Sequence, residues 1–380
     1  MKLEQYQWST TGGWSRPLSS GELGAAAQLV FMFGSAKAVA TSDSVALVRR
    51  AFPNAHLFGC SAGDVIHGTH VEAEALALTV VAFEHSRVAT ARVRIEGADH
   101  CFAAGEQLAR QIDPVGLRHV FVLSEGLQVN GSDLVDGLNN VLPAGVAVTG
   151  GFAGDGDRLQ TTHVWCDGAP EQSAAVALCF YGDRLHIGAS VTGSWGPFGP
   201  DRLITKSRKN VLYAFDGRPA LALYKQYLGE HAAGLPASGL TFPLELRIGK
   251  GGNRVLRSLL AVDEKEQSIT FAGNVPEGSY ARLMVGHIED LIAGTLAVAR
   301  ANLARMQPRS PQLSLLVSCN ARRSVLKQRV EEEVEAVREV LGEHTVLTGF
   351  YSYGEIAPPE DGGSAELHNE TLTITSFAEV

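Results

Sequence analysis

The sequence predicts a mixed α/β fold of two domains, built from a repeated unit of strand, helix, strand and glycine loop, with added hairpins. Three observations carry this expectation. The stretches HLFGCSAGDVIHG (56–68), VAVTGGFAGDGDRL (146–159) and LTGFYSYGEIAPP (347–359) each run from apolar residues to a glycine, a short span, a second glycine and an acid. The glycine–acid sets are Gly59, Gly63 and Asp64, then Gly150, Gly154 and Asp155, then Gly349, Gly354 and Glu355, the last copy being one residue longer. A short apolar run precedes each loop (LVFMFGS, HVFVLSEG and LSLLVSCN), ending in small or polar residues as a buried strand does where it empties into a crevice. Between each run and its loop stands helix-like sequence.

The elements follow in order. SDSVALVRRAF, SDLVDGLNNVL and RRSVLKQRVEEEVEAVREVL are the three helical segments, with Ser42 and Ser132 as N-cap candidates. In the last, Val325, Leu326, Val330, Val334, Val337 and Leu341 form an apolar stripe at helical spacing. After the first two loops, EALALTVVAFEHSRVATARVRI and SAAVALCFYGDRLHIGASVT read as β-hairpins, two β-rich runs around a polar turn. After the third comes TLTITSFAEV, with Leu372, Ile374 and Phe377 on one face. Between 200 and 300 lie an amphipathic segment (PALALYKQYLGEH), a strand-rich stretch (LRSLLAVDEKEQSITFAGNV) and a helix (HIEDLIAGTLAVARANLARM). The domain boundary falls between 195 and 225 and is drawn as 1–222 and 223–380.

Composition narrows the function. At 380 residues, 45% hydrophobic and 19% charged, the chain has the balance of a folded protein with a large core. A net charge of −9 argues against a nucleic-acid surface, which needs clustered Lys and Arg, and does not favour an anionic membrane. The polar start MKLEQYQWSTTGG lacks a signal-peptide core, and apolar runs such as ALALTVVAF are about half the ~20 residues that spanning requires, so the expectation is a cytoplasmic protein without membrane insertion. Five scattered cysteines with no CxxC pair speak against a disulfide scaffold or a zinc finger.

The candidate chemistry lies in the loops. GCSAG fits the G-x-S-x-G pattern of a hydrolase nucleophile at Ser61, but the β-branched, glycine-interrupted DVIHGTHV that follows is poor helix sequence, which favours a turn. GGFAGDG, with Gly150, Gly151 and Gly154, suggests an anion nest, but no lysine follows and Asp155 and Asp157 would repel a phosphate. Twelve histidines include no HExxH or HxH pair. His368 stands beside Asn369 ahead of the final strand, and His287 opens a helix; for both, simple packing is the plainer reading. Arg322, just beyond the strand that ends at Cys319, reads either as a crevice residue that binds a carboxylate ligand or neutralises Glu355, or as a plain surface arginine.

In this order, GCSAGD, GGFAGDG, SCNARR with its EEEVEAVRE helix, GFYSYGEIAP and LHNETLTIT resemble the FIST family of bacterial sensory proteins (F-box and intracellular signal transduction), from about residue 28 to the C-terminus. The resemblance implies an N-terminal and a C-terminal FIST domain that bind a small ligand without catalysis. GSWGPFGPDRLITKSRKNVLYAFDGRPALALYKQYLGE (193–230) is further similar to stand-alone members that hold haem, sense nitric oxide and act on a histidine kinase and cyclic-di-GMP signalling. That implies haem b, a diatomic gas ligand and a sensor histidine kinase as partner, with His368 as first and His287 as second candidate for the iron. The ligand site expected at the strand ends takes in the three glycine–acid sets, Cys60, Ser61, Gly151, Cys319, Arg322 and Asn369, with Tyr351 and Tyr353 as flat walls. The alternatives are a sensor of an amino-acid-like molecule without haem, and a serine hydrolase using Ser61. A homo-oligomer stays open.

Overall fold

A computed structural model of the chain describes all residues except 42, 249–253 and 360–362. Among the described residues the strands form three six-stranded sheets and one nine-stranded sheet. The mixed α/β class and the repeated unit hold. In each unit a lead strand (Leu29–Gly34, Leu117–Ser124 or Leu313–Cys319) pairs in parallel with a second strand (His56–Ser61, Ala147–Phe152 or Val346–Ser352). Parallel strands need a long crossover, and helices supply it: Ala36–Thr41 and Ser44–Ala51 in the first unit, Gly131–Val141 in the second, Asn320–Leu326 and Val330–Leu341 in the third.

After its glycine loop the chain leaves its own sheet. Asp64–His67, from the first unit, pairs with Val346–Ser352 of the third. Val164–Cys166, from the second, pairs with His56–Ser61 of the first, and Gly354–Ala357, from the third, pairs with Ala147–Phe152 of the second. Three exchanges close a ring. Each unit then sends a return strand back onto its lead strand in antiparallel fashion: Ala75–Ala82, Ala174–Tyr181 and Leu372–Glu379.

The two expected hairpins are a correction. Arg87–Arg94 pairs with Ala174–Tyr181 in the second sheet, and Leu185–Thr192 pairs with Leu372–Glu379 in the third, so each polar turn is a corner between sheets. Lys2–Ser9 takes the matching place beside Ala75–Ala82 in the first sheet. A polar turn between two β-rich runs serves a hairpin and a corner equally; burial tells them apart. All eight residues of every return strand are buried, because one face meets the central core and the other lies under helices.

The inner faces of the three sheets share one core. Aromatic contacts join each pair of units there: Phe31 to Phe121 at 6.2 Å between ring centroids, Phe33 to Phe350 at 4.9 Å, and Phe180 to Phe377 at 4.9 Å. The first glycine of each loop motif has the same role in all three units. A Cβ on Gly59, Gly150 or Gly349 would stand 1.8 Å from the carbonyl oxygen of Met32, Val122 or Leu316 on the lead strand, a separation that no side chain tolerates.

The second body spans residues 196–285 and wraps the nine-stranded sheet around helix Ala220–Leu228, whose Leu221, Leu223 and Tyr224 fill its core. The expected helix after it is Ile288–Met306, with His287 at its N-cap position. Helix Gly131–Val141 is capped by Asn130, whose side chain accepts from the Asp133 N–H, and not by Ser132, whose hydroxyl accepts from the Asn274 N–H of the second body. Ser42 lies outside the described residues.

Alanine at Gly349 is expected to cost about 3 kcal/mol or more by forcing the parallel strands apart, whereas alanine at Gly168, whose nearest neighbour would lie at 3.8 Å, stays within about 0.5 kcal/mol of wild type. Denaturant unfolding of both variants checks this, and equal midpoints would show that the strands separate freely.

Candidate functional site

Where the loop ends of the second and third units meet the second body, they enclose a chamber of about 590 Å³. The second unit contributes Gly126, Leu127, Phe152 and Asp157; the third contributes Cys319, Asn320, Ser352, Tyr353 and Asn369; the second body contributes Leu240, Thr241, Ser258 and Leu259. A wider, polar cleft of about 980 Å³ adjoins it, lined by Gly63, Asp64, Glu74, Asp155, Arg158, Arg323 and Lys327 among others. Gly156, Asp157, Asn320 and Ser324 line both, and the Asn320 Nδ2 donates to Asp157 Oδ1 at 3.2 Å along that shared border.

The expected site residues separate into three groups. Cys319, Tyr353 and Asn369 line the chamber, and Gly63, Asp64 and Asp155 line the cleft. Gly59, Gly150 and Gly349 are the strand glycines described above, and a Cβ on Gly151 would meet Val317 Cγ1 at 2.6 Å. Cys60 belongs to the central core. The Ser61 hydroxyl is fully buried, donates to the Gly154 carbonyl at 2.9 Å and accepts from the His163 N–H at 2.9 Å, so backbone groups hold it on both sides. Gly354 has a specific use: its Cβ position lies only 3.2 Å from the Asn369 Nδ2, so glycine leaves room for that amide.

The acids of the three motifs are not equivalent. Asp64 faces the cleft 3.4 Å from Arg323 Nε; burial pushes its carboxyl above the usual range despite that partner. Burial works against the Asp155 carboxylate, but the Tyr353 hydroxyl and the backbone N–H groups of Thr161, Gln160 and Leu159 outweigh it and hold the group below the usual range. Glu355 is fully buried. Ser352 Oγ donates to it at 2.5 Å, and the Thr371 hydroxyl and N–H donate at 2.7 and 3.1 Å; burial still pushes it up to about 8.

Two expectations are corrected here. Arg322 does not meet Glu355. The turn of helix Asn320–Leu326 carries it outward beneath helix Val330–Leu341, where Nε and Nη2 lie 2.8 and 2.7 Å from Glu333 Oε1, and further bonds reach the Gly193 and Leu291 carbonyls and the Thr295 hydroxyl. Tyr351 is no chamber wall either, since its hydroxyl donates to Glu333 Oε2 at 2.9 Å inside the packed layer under the helices. The sequence shows Glu333 within a charged run, EEEVEAVRE, yet of its first three glutamates only this one stands three residues from Val330 and four from Val337, and that helical spacing could have placed it on the buried face.

The sequence reading also missed Glu370. It is fully buried with φ at +64°, a backbone region rare for a side chain of its size. Ser258 of the second body donates to its Oε1 at 2.5 Å, Oε2 has no hydrogen-bond partner among the described residues, and burial holds the carboxyl well above the usual range, with nearby Glu355 adding to the effect. Its neighbour Asn369 is fully buried, and neither Nδ2 nor Oδ1 makes a hydrogen bond among the described residues.

Haem needs an axial donor facing the cavity. His368 directs Nε2 to the Ala357 carbonyl at 3.1 Å, with burial lowering its pKa to about 4, and His287 sits beside Gly196; neither lines the chamber or the cleft. Of the chamber's own side chains, the Tyr353 hydroxyl is engaged by Asp155, and burial pushes the Cys319 thiol well above its usual pKa, against the thiolate that iron takes. The residues present therefore do not fit haem ligation by the expected histidines.

The ion pair and the carboxyl each yield a test. Arg322→Met is expected to cost about 3–5 kcal/mol, and Arg322→Met with Glu333→Leu to cost less than the sum of the singles, while Arg322→Met with Glu355→Gln stays additive; urea melts of the set decide which carboxylate is the partner. Glu355 is raised from 4.5 to about 8 in the folded chain, so its stabilising contribution is full below pH 4.5 and is lost as pH rises toward 8. Glu355→Gln removes that loss. Its melting temperature relative to wild type should climb between pH 5 and 8, and parallel profiles would show that Glu355 ionises without cost.

Residues 28–218 match the FIST N domain and residues 220–358 match the FIST C domain. No curated protein sequence matches the chain significantly. Among solved structures, similarity extends to a chorismatase (11% identity over 99% of this chain and 98% of that one, TM-score 0.35) and to a cyanuric acid hydrolase from A. caulinodans (8% identity over 99% and 98%, TM-score 0.38). Likenesses at that level carry no argument about ligand or chemistry. No helix among the described residues is long and apolar enough to cross a membrane. With the N and C domain matches falling in sequence order over most of its length, the chain belongs to the FIST family, whose domains are sensory signalling modules that bind small ligands.

Proposed function

We propose that the chain is a non-enzymatic sensor in which a small organic ligand occupies the chamber, alters how the second body sits on the three-sheet body, and thereby changes a surface read by a partner histidine kinase. One observation carries this reading: the chamber is walled by both bodies and has in its lining a buried side chain with no hydrogen bond among the described residues, Asn369, with the half-bonded Glu370 next to it behind Ser258. Unpaired polar groups in a low-dielectric site destabilise the empty state and are relieved by an occupant.

The junction is built to respond. Arg257 of the second body donates to the Leu367 carbonyl at 3.0 Å, and Asn274 bonds Asn130, Ser132 and Asp133 around the start of helix Gly131–Val141. A ligand that touches Leu240, Ser258 and Leu259 on one side and Tyr353 and Asn369 on the other binds differently to each relative placement of the bodies, and that difference is what moves the equilibrium. The haem and nitric-oxide version of the sensor would need an imidazole that the described linings of the chamber and the cleft lack, which favours an organic ligand. The backbone bonds on both sides of the Ser61 hydroxyl favour a structural serine over a nucleophile.

Ala272, half-buried on the chamber wall, offers a block: Ala272→Trp fills the space. A metabolite screen by thermal shift should return compounds that stabilise wild type and slow amide exchange in 236–241 and 258–260, with both effects lost in Ala272→Trp. Compounds that bind the blocked variant equally would overturn the chamber as the site. A Soret band in protein purified from haem-supplemented cells would restore the haem reading, and fluorophosphonate labelling that is lost in Ser61→Ala would restore the hydrolase.

A further inference from the structure

We propose that the chamber selects a flat, uncharged ligand carrying the side-by-side donor and acceptor of a lactam or primary carboxamide, and that the Asn369 side chain reads this edge through two parallel hydrogen bonds. The inference deepens the sensor reading and rests on the chamber being its ligand site.

The amide itself sets the requirement. Asn369 is fully buried against the chamber, and its Nδ2 donor and its Oδ1 acceptor are both unpaired among the described residues. Buried asparagines ordinarily bond backbone or neighbouring side chains, since each unpaired polar atom costs about 1–3 kcal/mol. The complement is a partner with one donor and one acceptor at matching separation, the edge that a cis amide presents.

The support of Asn369 is firm. Gly354 leaves the space that the amide occupies, and the next residue, Glu370, is held at φ +64° with its carbonyl accepting from Trp195 Nε1 at 2.7 Å and its carboxyl accepting from Ser258. The Thr371 carbonyl accepts from the Cys319 N–H at 2.9 Å. A turn braced on three sides holds an amide in place without using the amide's own hydrogen bonds, the arrangement expected of a recognition group.

The walls specify the rest of the ligand. Phe152 and Tyr353 supply flat surfaces, and Leu127, Leu240 and Leu259 supply apolar contact. Asp157 is the one charged side chain among the described lining residues, and Lys and Arg are absent from that lining. The hydroxyls of Ser352 and Ser258, also in the lining, are turned to the buried carboxyls of Glu355 and Glu370. An anionic ligand would meet acidic groups and no cation, whereas a neutral amide meets its complement.

The test uses the full chain and three probes of one shape: 2-quinolone, with the lactam edge; quinoline, with an acceptor alone; and quinoline-2-carboxylate, the anion. Calorimetric titration should show 2-quinolone binding about tenfold to a hundredfold more tightly than quinoline, with the carboxylate weakest. In Asn369→Leu the lactam preference should vanish while the ligand-free protein melts at or above the wild-type temperature, because two unpaired polar atoms have left the interior. Asn369→Asp, which keeps the size and loses the donor, should likewise lose the preference. If quinoline binds wild type as tightly as 2-quinolone, the recognition edge is overturned and the chamber stands. If no probe binds, the chamber reading falls with it. If Asn369→Leu melts well below wild type or fails to fold, Asn369 is a structural anchor and the proposal is wrong.

Discussion

The exchange of strands between units is the constraint on which the molecule depends. Each second strand hydrogen-bonds its own lead strand on one side and a neighbour's exchanged strand on the other, so the three sheets cannot be drawn apart without breaking ladders in all of them. The exchange also protects edges that would otherwise be open to intermolecular pairing. The parallel pairing inside each unit explains the glycines: it brings lead-strand carbonyls to within 1.8 Å of where the Cβ atoms of residues 59, 150 and 349 would stand. With backbone geometry settled at these positions, side chains at the loop ends are free to differ, and they do.

That divergence turns three similar corners into one site. Asp64 faces a charged cleft, Asp155 ties down the backbone of residues 159–161, and Glu355 is enclosed with Ser352 and Thr371. The chamber's lining comes from the second and third units together with the second body, which adds Ser258 and the leucines. The buried carboxyls divide in the same way: Glu333 meets a guanidinium and braces a helix, whereas Glu355 and Glu370 have hydroxyl and amide partners and lie behind the lining residues Ser352 and Ser258. Buried acids without a direct cation partner are costly, and two of them lie together behind the chamber wall.

The sequence disclosed the repeat, the parallel pairs and their helices because those depend on local periodicity and on glycine. It named Cys319, Tyr353 and Asn369, which the chamber brings together. It could not distinguish a hairpin from a corner, since Ala75–Ala82 and Arg87–Arg94 have the same local character either way and their partners are set by distant strands. Tyr351 and Tyr353 look alike in the sequence, but Tyr351 lies inside Val346–Ser352 and is committed to the layer beneath the helices, while Tyr353 follows the strand's end and reaches the chamber. Glu370 and Ser258 were invisible for a related reason: one is an ordinary glutamate in a short loop, and the other lies in a different body 112 positions away.

The ring has a consequence for how the chain is made. Asp64–His67 pairs locally with His70–Ala73 but joins its sheet only through Val346–Ser352, and Ala147–Phe152 has its outer neighbour only once Gly354–Ala357 has emerged. During vectorial synthesis, the first two units therefore wait with unpaired strand edges until residues 346–357 have left the ribosome. Closure through contacts so remote in sequence is slow, and the waiting intermediates present sticky edges to one another. The architecture that makes the finished protein hard to open leaves its strand edges uncovered for longest while the chain is being made.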